Sequence, residues 1–154
     1  MKVYLIQHGE AKSKEEDPQR PLSDLGKNNI RRIAEYAANI NLPIAEIWHS
    51  DKLRAQQTAG ILAEALGMSD KVKECQGLAP NDDVMDLSIQ LMSREENVAI
   101  IGHLPFLGKL SCLLLCGSES AHIINFKMGG IVCLNNKDDL HNWTLDWMII
   151  PEII

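Results

Sequence analysis

Two short, uninterrupted apolar segments of this chain are each followed by a histidine. Residues 3–6 (VYLI) precede His8, and residues 97–102 (NVAIIG) precede His103. Continuous apolar runs of this length predict strands that are buried on both faces, as in the interior of a parallel sheet. Ligands of such sheets bind beyond the carboxyl ends of the strands. Both histidines fall at such a place, and Gly9 would allow the backbone to turn tightly beside His8. Taken alone, either histidine could instead be an ordinary polar residue of a turn, without a functional role.

Hydrophobic periodicity and capping signals between these runs predict an alternation of helices and strands. The predicted helices are 24–39 with Ser23 as N-cap, 51–66 with Ser50 as N-cap and Gly67 as its end, 83–95 with Asp82 as N-cap, and 105–115. The further predicted strands are 44–49, 71–75, 122–126, 131–134 and 143–149. In the last of these, Trp143, Leu145, Trp147 and Ile149 alternate with polar or smaller residues, a half-exposed pattern.

The order of these elements predicts the fold class. An alternation of strands and helices favours a mostly parallel sheet with helices on both faces. The strand-rich tail would add an antiparallel edge. We therefore predict a three-layer α/β/α fold, with a mostly parallel central sheet and antiparallel edge strands, as one domain over residues 1–154.

Charge and composition exclude several classes of function. The formal net charge is −6, which disfavours broad binding to nucleic acid or to a membrane surface because both require a basic face. No apolar stretch approaches the length of a transmembrane helix, and the first residues do not resemble a signal peptide, so we expect a cytoplasmic protein. Four cysteines without a CxxC pair favour reduced thiols over a metal site.

Right-handed crossovers would bring several strand ends to one rim of the sheet. His8, His103 and Arg54 would meet there, with Arg54 in the first turn of the helix after Ser50. A cation in that turn opposes the helix dipole, which hints at function, although an ordinary surface arginine is an equal alternative. Two histidines, an arginine and helix N-termini suit an anion such as phosphate. A neutral histidine can act as a nucleophile, and a second can donate a hydrogen bond to the transferring group.

Five segments of the chain form a recognisable pattern in a fixed order. They are residues 7–10 (QHGE), Arg20-Pro21-Leu22-Ser23 with Gly26, residues 49–58 (HSDKLRAQQT), residues 78–83 (LAPNDD) and Gly102-His103-Leu104-Pro105. Together and in this order, they resemble the motifs of the histidine phosphatase superfamily, also called phosphoglycerate mutase-like, and in particular its short SixA-type phosphohistidine phosphatases. The QHGE segment resembles the RHG motif of that family.

The resemblance implies a role for each matching residue. His8 would be the nucleophile that becomes transiently phosphorylated, Arg54 would bind the phosphoryl oxygens, and His103 would donate a hydrogen bond to the phosphoryl group. Substrate-binding positions would be Gln7, Gly9, Arg20 and Ser50. The resemblance implies a phosphoglycerate mutase-like fold and a reaction that needs no metal and no cofactor.

One departure from the family pattern weakens the expected activity. Gln7 stands where the family has an arginine before the nucleophile. An arginine that stabilises a transferring phosphoryl group is worth on the order of a thousandfold in rate. Arg20 or a lysine could compensate, or the chain could bind phosphate with little turnover. Asp82 and Asp83 are candidates for a general acid, with helix capping as the alternative.

Three functions therefore remain open from the sequence. The first is a phosphatase acting on phosphohistidine in a protein or on a small phosphate ester. A short chain without room for a lid favours the phosphorylated protein. The second is a weakened phosphate- or phosphohistidine-binding module, and the third is a nucleotide-binding regulator, which the missing glycine-rich loops disfavour. We interpret His49, His122 and His141 as turn or strand-edge residues.

Overall fold

A computed structural model describes residues 1–137 and 142–154. The strands are β1 (Lys2–Gln7), β2 (Glu46–His49), β3 (Val72–Glu74), β4 (Val98–Gly102), β5 (Ile131–Asn136) and β6 (Trp143–Ile149). The helices are α1 (Asp24–Asn39), α2 (Leu53–Leu66), α3 (Met85–Met92) and α4 (Phe106–Cys116). No helix within the described ranges is long and apolar enough to cross a membrane.

The six strands form one mixed sheet in the order β3-β2-β4-β1-β5-β6. Strands β1, β2, β3 and β4 run parallel, while β5 and β6 are antiparallel to their neighbours. The predicted fold class, a mostly parallel sheet with an antiparallel edge, is confirmed. Because β1, β2 and β4 are parallel, their carboxyl ends lie at the same end of the sheet, where the sequence predicts the functional residues.

Two apolar clusters cover the two faces of the sheet and make the three layers. Alternate residues of β1 serve opposite clusters: Val3 and Leu5 pack with residues of α3 and α4, while Tyr4 and Ile6 pack with residues of α1 and α2. All four side chains are at most 1% exposed. Burial on both faces explains why this segment is a continuous apolar run.

The predicted start of α1 is confirmed. Ser23 is the N-cap, and its hydroxyl accepts a hydrogen bond from the Gly26 amide at 3.0 Å. The predicted start of α2, at residue 51 with Ser50 as the N-cap, was wrong, because α2 begins at Leu53 with Lys52 as the N-cap. The Ser50 side chain bonds the ring of His103 instead of capping the helix. Gly67 ends α2 in the left-handed region, as predicted.

The limits predicted for α3 were also wrong. The helix spans only Met85–Met92, with Val84 at the N-cap position. The carboxylate of Asp82 closes the preceding loop by accepting a hydrogen bond from the Ala79 amide at 2.8 Å. Asp83 accepts a hydrogen bond from the Met85 amide at 2.8 Å. Asp83 is therefore the aspartate that contacts the first turn of the helix.

Residues 122–126, predicted as a strand, form no regular structure. The edge of β1 is occupied by β4 on one side and by β5 on the other, and β5 is in turn covered by β6. Neither side of β1 is therefore open to pairing with this segment. It contributes to the fold through Phe126, which packs into the apolar cluster on the face of α4.

An irregularity in β6 breaks the alternation that the sequence predicts. Cys133 of β5 pairs with Trp147, but the next residue of β5 pairs with Leu145, so Asp146 is an extra residue. Such a bulge shifts the facing of every residue beyond it. Trp143 therefore packs with the cluster on the α4 face, while Trp147 packs with the cluster on the α1 face.

Candidate active site

His8 lies directly beyond the end of β1, with its amide bonded to the Gly102 carbonyl of β4 at 3.1 Å. The ring Nδ1 lies 2.7 Å from the carbonyl oxygen of Gly9. A carbonyl oxygen only accepts, so Nδ1 carries the ring proton and Nε2 keeps a free electron pair in the neutral ring. The ring is therefore oriented with Nε2 as its reactive atom.

The turn after His8 is held by contacts with α1 and α2. The Gly9 amide donates to the hydroxyl of Thr58 at 3.1 Å, and that hydroxyl donates to the Arg54 carbonyl at 2.8 Å. A Cβ on Gly9 would lie 2.9 Å from Ile30, and one on Gly26 would lie 2.1 Å from the Glu10 carbonyl oxygen. Glycine at both positions lets the turn and the two helices approach closely.

Arg54 extends from the first turn of α2 toward the ring of His8. Its Nε donates to Nε2 of His8 at 3.2 Å, the atom that the Nδ1 contact leaves unprotonated. A guanidinium has further donors beside this one, which match the oxygens of a phosphoryl group. The same side chain can therefore lie against both the reactive nitrogen and an anion bound to it.

His103 lies beyond the end of β4, beside His8. The two ring centroids are 4.9 Å apart, with the rings tilted by 54°. Nε2 of His103 is 2.5 Å from the hydroxyl oxygen of Ser50, while its Nδ1 is buried and has no hydrogen-bond partner among residues 1–137 and 142–154. The structure therefore brings His8, Arg54, Ser50 and His103 together, as predicted from their positions at the strand ends.

The electrostatic environment keeps both rings neutral. Burial lowers the pKa of His8 to about 4, and the positive charges of Arg54 and Arg20 act in the same direction. Burial is the largest cause that lowers the pKa of His103 to about 3, and the neighbouring His8 and Arg54 act in the same direction. Near neutral pH, His8 is therefore an uncharged base with a free electron pair, and the positive charge at the site comes from guanidinium groups.

Arg20 lies at the rim of the site. Its side chain is exposed, and its Nε donates to the Lys12 carbonyl at 3.2 Å. Its backbone is in the left-handed region, with φ of 50°, which is uncommon for a residue other than glycine. Its charge contributes to lowering the pKa of both His8 and Arg54, so it adds to the positive field at the site.

Gln7 is the last residue of β1 and is only 7% exposed. Its carbonyl accepts a hydrogen bond from the Gly129 amide at 2.8 Å. The amide side chain brings no charge to the position. The two guanidinium groups named above, from Arg54 and Arg20, therefore carry the positive field around His8.

Two residues that position the site were not singled out from the sequence. Thr58 bonds the turn after His8, as described above, and Gln57 accepts a hydrogen bond from the Leu22 amide at 2.7 Å. Gln57 thereby ties the segment that carries Arg20 to α2. Both lie within the HSDKLRAQQT segment, so its resemblance to the family motif was the available signal.

The remaining candidate residues are Asp82 and the other histidines. Asp82 lines a cleft of about 360 Å³ together with Asp51 and residues 74–79. His49 is buried at the end of β2, with Nδ1 2.8 Å from the Ser50 carbonyl, and His122 is exposed. His141 lies outside the described residues. Within those ranges, no group of three or more His, Cys, Asp or Glu side chains could hold a metal ion.

Comparisons with known proteins agree with the geometry. Residues 3–79 match the family described as the histidine phosphatase superfamily (branch 1). The chain is 32% identical over 144 residues to an uncharacterised protein of Picosynechococcus sp., covering 88% of this chain and 86% of that protein. It is 28% identical over 156 residues to the phosphohistidine phosphatase SixA of Escherichia coli K12, covering 98% and 94% of the two chains.

A solved structure shows the same fold. The structure of the protein histidine phosphatase SixA complexed with tungstate aligns with a TM-score of 0.86 and 26% identity. The alignment covers 98% of this chain and 97% of that chain.

Proposed function

The chain belongs to branch 1 of the histidine phosphatase superfamily, and from that premise we propose that it hydrolyses phosphohistidine on a protein through a phosphorylated His8. The phosphatase class follows from the family. The phosphohistidine substrate and the roles of individual residues are the parts that we propose.

The state of His8 is the observation that carries the proposal. Its proton is held on Nδ1 by the Gly9 carbonyl, and its lowered pKa keeps the ring neutral. Nε2 then has a free electron pair beside a guanidinium. A neutral nitrogen nucleophile beside a phosphate-binding group is the arrangement that phosphoryl transfer to histidine requires.

The proposed reaction has two steps. In the first, Nε2 of His8 forms a bond to phosphorus while the P–N bond of the substrate breaks, and the released substrate imidazole takes a proton from water. In the second, a water oxygen attacks phosphorus, a proton of that water neutralises the hydroxide left by the first step, and the bond to Nε2 breaks, which releases inorganic phosphate and restores the neutral ring. A covalent intermediate replaces one difficult displacement with two easier ones.

The other residues would stabilise the charge on the phosphoryl group. As Nε2 of His8 bonds to phosphorus, it can no longer accept the hydrogen bond from Arg54, so the donors of that guanidinium would bind the phosphoryl oxygens, and His103 would donate a hydrogen bond. Arg20 would add positive charge from the rim, and Gln7 and the Gly9 turn would complete the pocket wall. Fixed donors of this kind act where charge develops and need little rearrangement.

Two considerations favour phosphohistidine over a phosphate ester. An imidazole leaving group is readily protonated, so the reaction requires less of a general acid than ester cleavage does. Asp82 and Asp83 both accept hydrogen bonds from backbone amides, Asp82 within the loop and Asp83 from the first residue of α3, although neither is the N-cap of that helix. The relatives described as SixA, at 28% and 26% identity, are named for histidine phosphatase activity.

A second candidate is a phosphate- or phosphohistidine-binding module with little turnover. Gln7 favours it, because the uncharged amide replaces the family arginine directly before the nucleophile. Binding would then persist through Arg54, while transfer to His8 would be slow.

Trapping of a radiolabelled phosphoryl group separates the two candidates. Wild-type protein mixed with labelled phosphoramidate or a phosphohistidine protein should acquire label within one turnover and release labelled phosphate. His8→Ala should acquire none. His122→Ala is the matched control, because His122 is exposed and should label normally. Binding of the phosphohistidine protein without label on His8 would support the second candidate and contradict the first.

A further inference from the structure

The bond between Ser50 and His103 joins the ends of two neighbouring strands inside the protein. Ser50 follows β2, His103 follows β4, and both residues are only 1% exposed. The hydroxyl oxygen of Ser50 lies 2.5 Å from Nε2 of His103. A short, buried hydrogen bond between residues 53 positions apart fixes the orientation of the imidazole without contact with solvent.

The contacts of the hydroxyl favour one direction for this hydrogen bond, because its single proton needs an acceptor. The Lys52 amide lies 3.4 Å from the Ser50 oxygen, and an amide N–H only donates. Among the described residues, Nε2 of His103 is therefore the acceptor within reach of the single hydroxyl proton. If Nε2 accepts, the proton of the neutral ring is on Nδ1.

The backbone of Ser50 is held by two further contacts. Its amide donates to the Ile101 carbonyl of β4 at 3.3 Å. Its carbonyl accepts the Nδ1 proton of His49 at 2.8 Å. The hydroxyl therefore extends from a fixed backbone, and His49 supports this arrangement from the end of β2.

The other ring nitrogen of His103, Nδ1, differs from Nε2 in its surroundings. It is buried and has no hydrogen-bond partner in the described part of the chain. A buried donor without an acceptor is costly unless another group supplies the acceptor. A phosphoryl group on His8, whose ring lies 4.9 Å from that of His103 between centroids, would supply it.

We propose that Ser50 is a positioning residue: its hydroxyl holds His103 in the tautomer that is protonated on Nδ1, so that His103 donates a hydrogen bond to the transferring phosphoryl group. The sequence predicted that Ser50 binds substrate directly, whereas the inference places it behind the imidazole. The catalytic consequence rests on the proposed function. The tautomer does not, because it is a property of the free protein.

Nitrogen NMR tests the tautomer directly. Protein labelled with ¹⁵N-histidine contains five imidazoles, and the signals lost in His103→Gln assign the ring. In wild-type protein near neutral pH, the long-range spectrum should show His103 protonated on Nδ1. In Ser50→Ala, the Nε2-protonated form should appear. An Nε2-protonated His103 in folded wild-type protein would overturn the proposal, whether or not the protein is a phosphatase.

Kinetics test the consequence. Ser50→Ala should lower kcat by about tenfold to a hundredfold, the range for loss of a residue that orients a functional imidazole, with a smaller change in KM. Ser50→Thr keeps a hydroxyl and should restore both the tautomer and part of kcat. Ser111→Ala is the matched control, since Ser111 is equally buried but bonds the Gly108 carbonyl within α4.

The two measurements separate failure of the inference from failure of the proposed function. A wild-type protein with the Nδ1-protonated ring but no label on His8 would contradict the phosphatase mechanism alone. Unchanged kcat in Ser50→Ala, in a protein that labels on His8, would contradict the positioning role alone. Equal loss of kcat in Ser50→Ala and Ser111→Ala would also overturn it, because the loss would then reflect general packing.

Discussion

At the scale of single residues, the chemistry of the site depends on which nitrogen of each histidine is protonated. The Gly9 carbonyl accepts the Nδ1 proton of His8, which leaves Nε2 unprotonated. The Ser50 hydroxyl forms a hydrogen bond with Nε2 of His103. In the proposed mechanism, these contacts suit one ring for attack and the other for hydrogen-bond donation. Attack requires a neutral ring, and burial provides it by lowering the pKa of His8.

Gln7→Arg is expected to raise the rate of phosphoryl transfer. The substitution restores a guanidinium beside the nucleophile, where such a group is worth on the order of a thousandfold in related chemistry. Because Gln7 is buried and its surroundings are adapted to an amide, we expect a gain of about tenfold or more in kcat. Single-turnover release of labelled phosphate measures it.

Gln7→Met is the control for this change, because it alters the side chain without adding charge. It should not raise kcat. A folded Gln7→Arg protein that is no faster than wild type on any phosphoramidate or aryl phosphate would show that Arg54 and Arg20 already supply the necessary positive charge.

The pH dependence of kcat/KM should reflect the lowered pKa of His8. The ring must be neutral to attack, so activity should be retained as the pH falls through 6.5 and be lost only toward the pKa of about 4. Short assays with phosphoramidate, corrected for the ionisation of the substrate, give the profile. Half-maximal activity near pH 6.5 would mean that His8 is solvated like a free histidine.

At the scale of elements, α1 and α2 hold the turn that follows β1. Ser23 and Gly26 start α1 against Glu10: the Ser23 hydroxyl donates to the Glu10 carboxylate at 2.7 Å, and Gly26 packs on the Glu10 carbonyl. Helix α2 contributes Thr58 and Gln57, which bond the two segments that flank this contact. The motif residues without a proposed chemical role therefore fix the distance between the helices and the nucleophile.

Gly26→Ala should destabilise the protein by about 2 kcal/mol or more, since the new methyl group would meet the Glu10 carbonyl oxygen and the backbone would have to move. Gly60→Ala is the matched control within a neighbouring helix. Beyond the backbone of its own helix and its chain neighbours, no atom of residues 1–137 and 142–154 lies within 4 Å of the added Cβ, so this variant should stabilise the protein by about 0.5–1 kcal/mol.

Chemical denaturation of the two variants measures both effects. If Gly26→Ala were as stable as wild type and equally active, the close contact between α1 and the turn would not be needed to position His8.

At the scale of the whole molecule, the two neutral histidines link stability to pH. In the unfolded chain both titrate near 6.5, whereas in the fold their pKa values are about 4 and about 3. As the pH falls from 6.5 toward 4, the unfolded state binds protons that the folded state does not. The free energy of unfolding should therefore decrease, by up to about 1.4 kcal/mol per pH unit for each ring.

Urea unfolding at several pH values between 4 and 7 measures this dependence. The double variant His8→Asn with His103→Asn should show a flatter profile than wild type, while His122→Asn should leave the slope unchanged because that ring is exposed. Equal slopes in wild type and the double variant would mean that the buried rings are protonated in the fold.

Several features could be predicted because they depend on neighbouring residues. The apolar run of β1 follows from burial on both faces, and Ser23 begins α1 through a contact only three residues away. The strand order along the chain and the alternation with helices led to the α/β class. The meeting of His8 and His103 at the strand ends, with Arg54 in the first turn of α2, then followed from the way that parallel strands connect.

Other features could be decided only by the tertiary structure. The extra residue in β6 depends on its pairing with β5, and residues 122–126, which have a strand-like sequence, form no regular structure in a sheet where both sides of β1 are paired by other strands. Ser50 has the sequence signature of an N-cap, yet its hydroxyl bonds a ring 53 residues away. The local sequence thus determined which groups are present at the strand ends, and the adjacent Gly9 carbonyl orients the ring of His8. The partner of the His103 ring was decided by contact between distant segments, because a hydrogen-bond partner must be close in space and not in sequence.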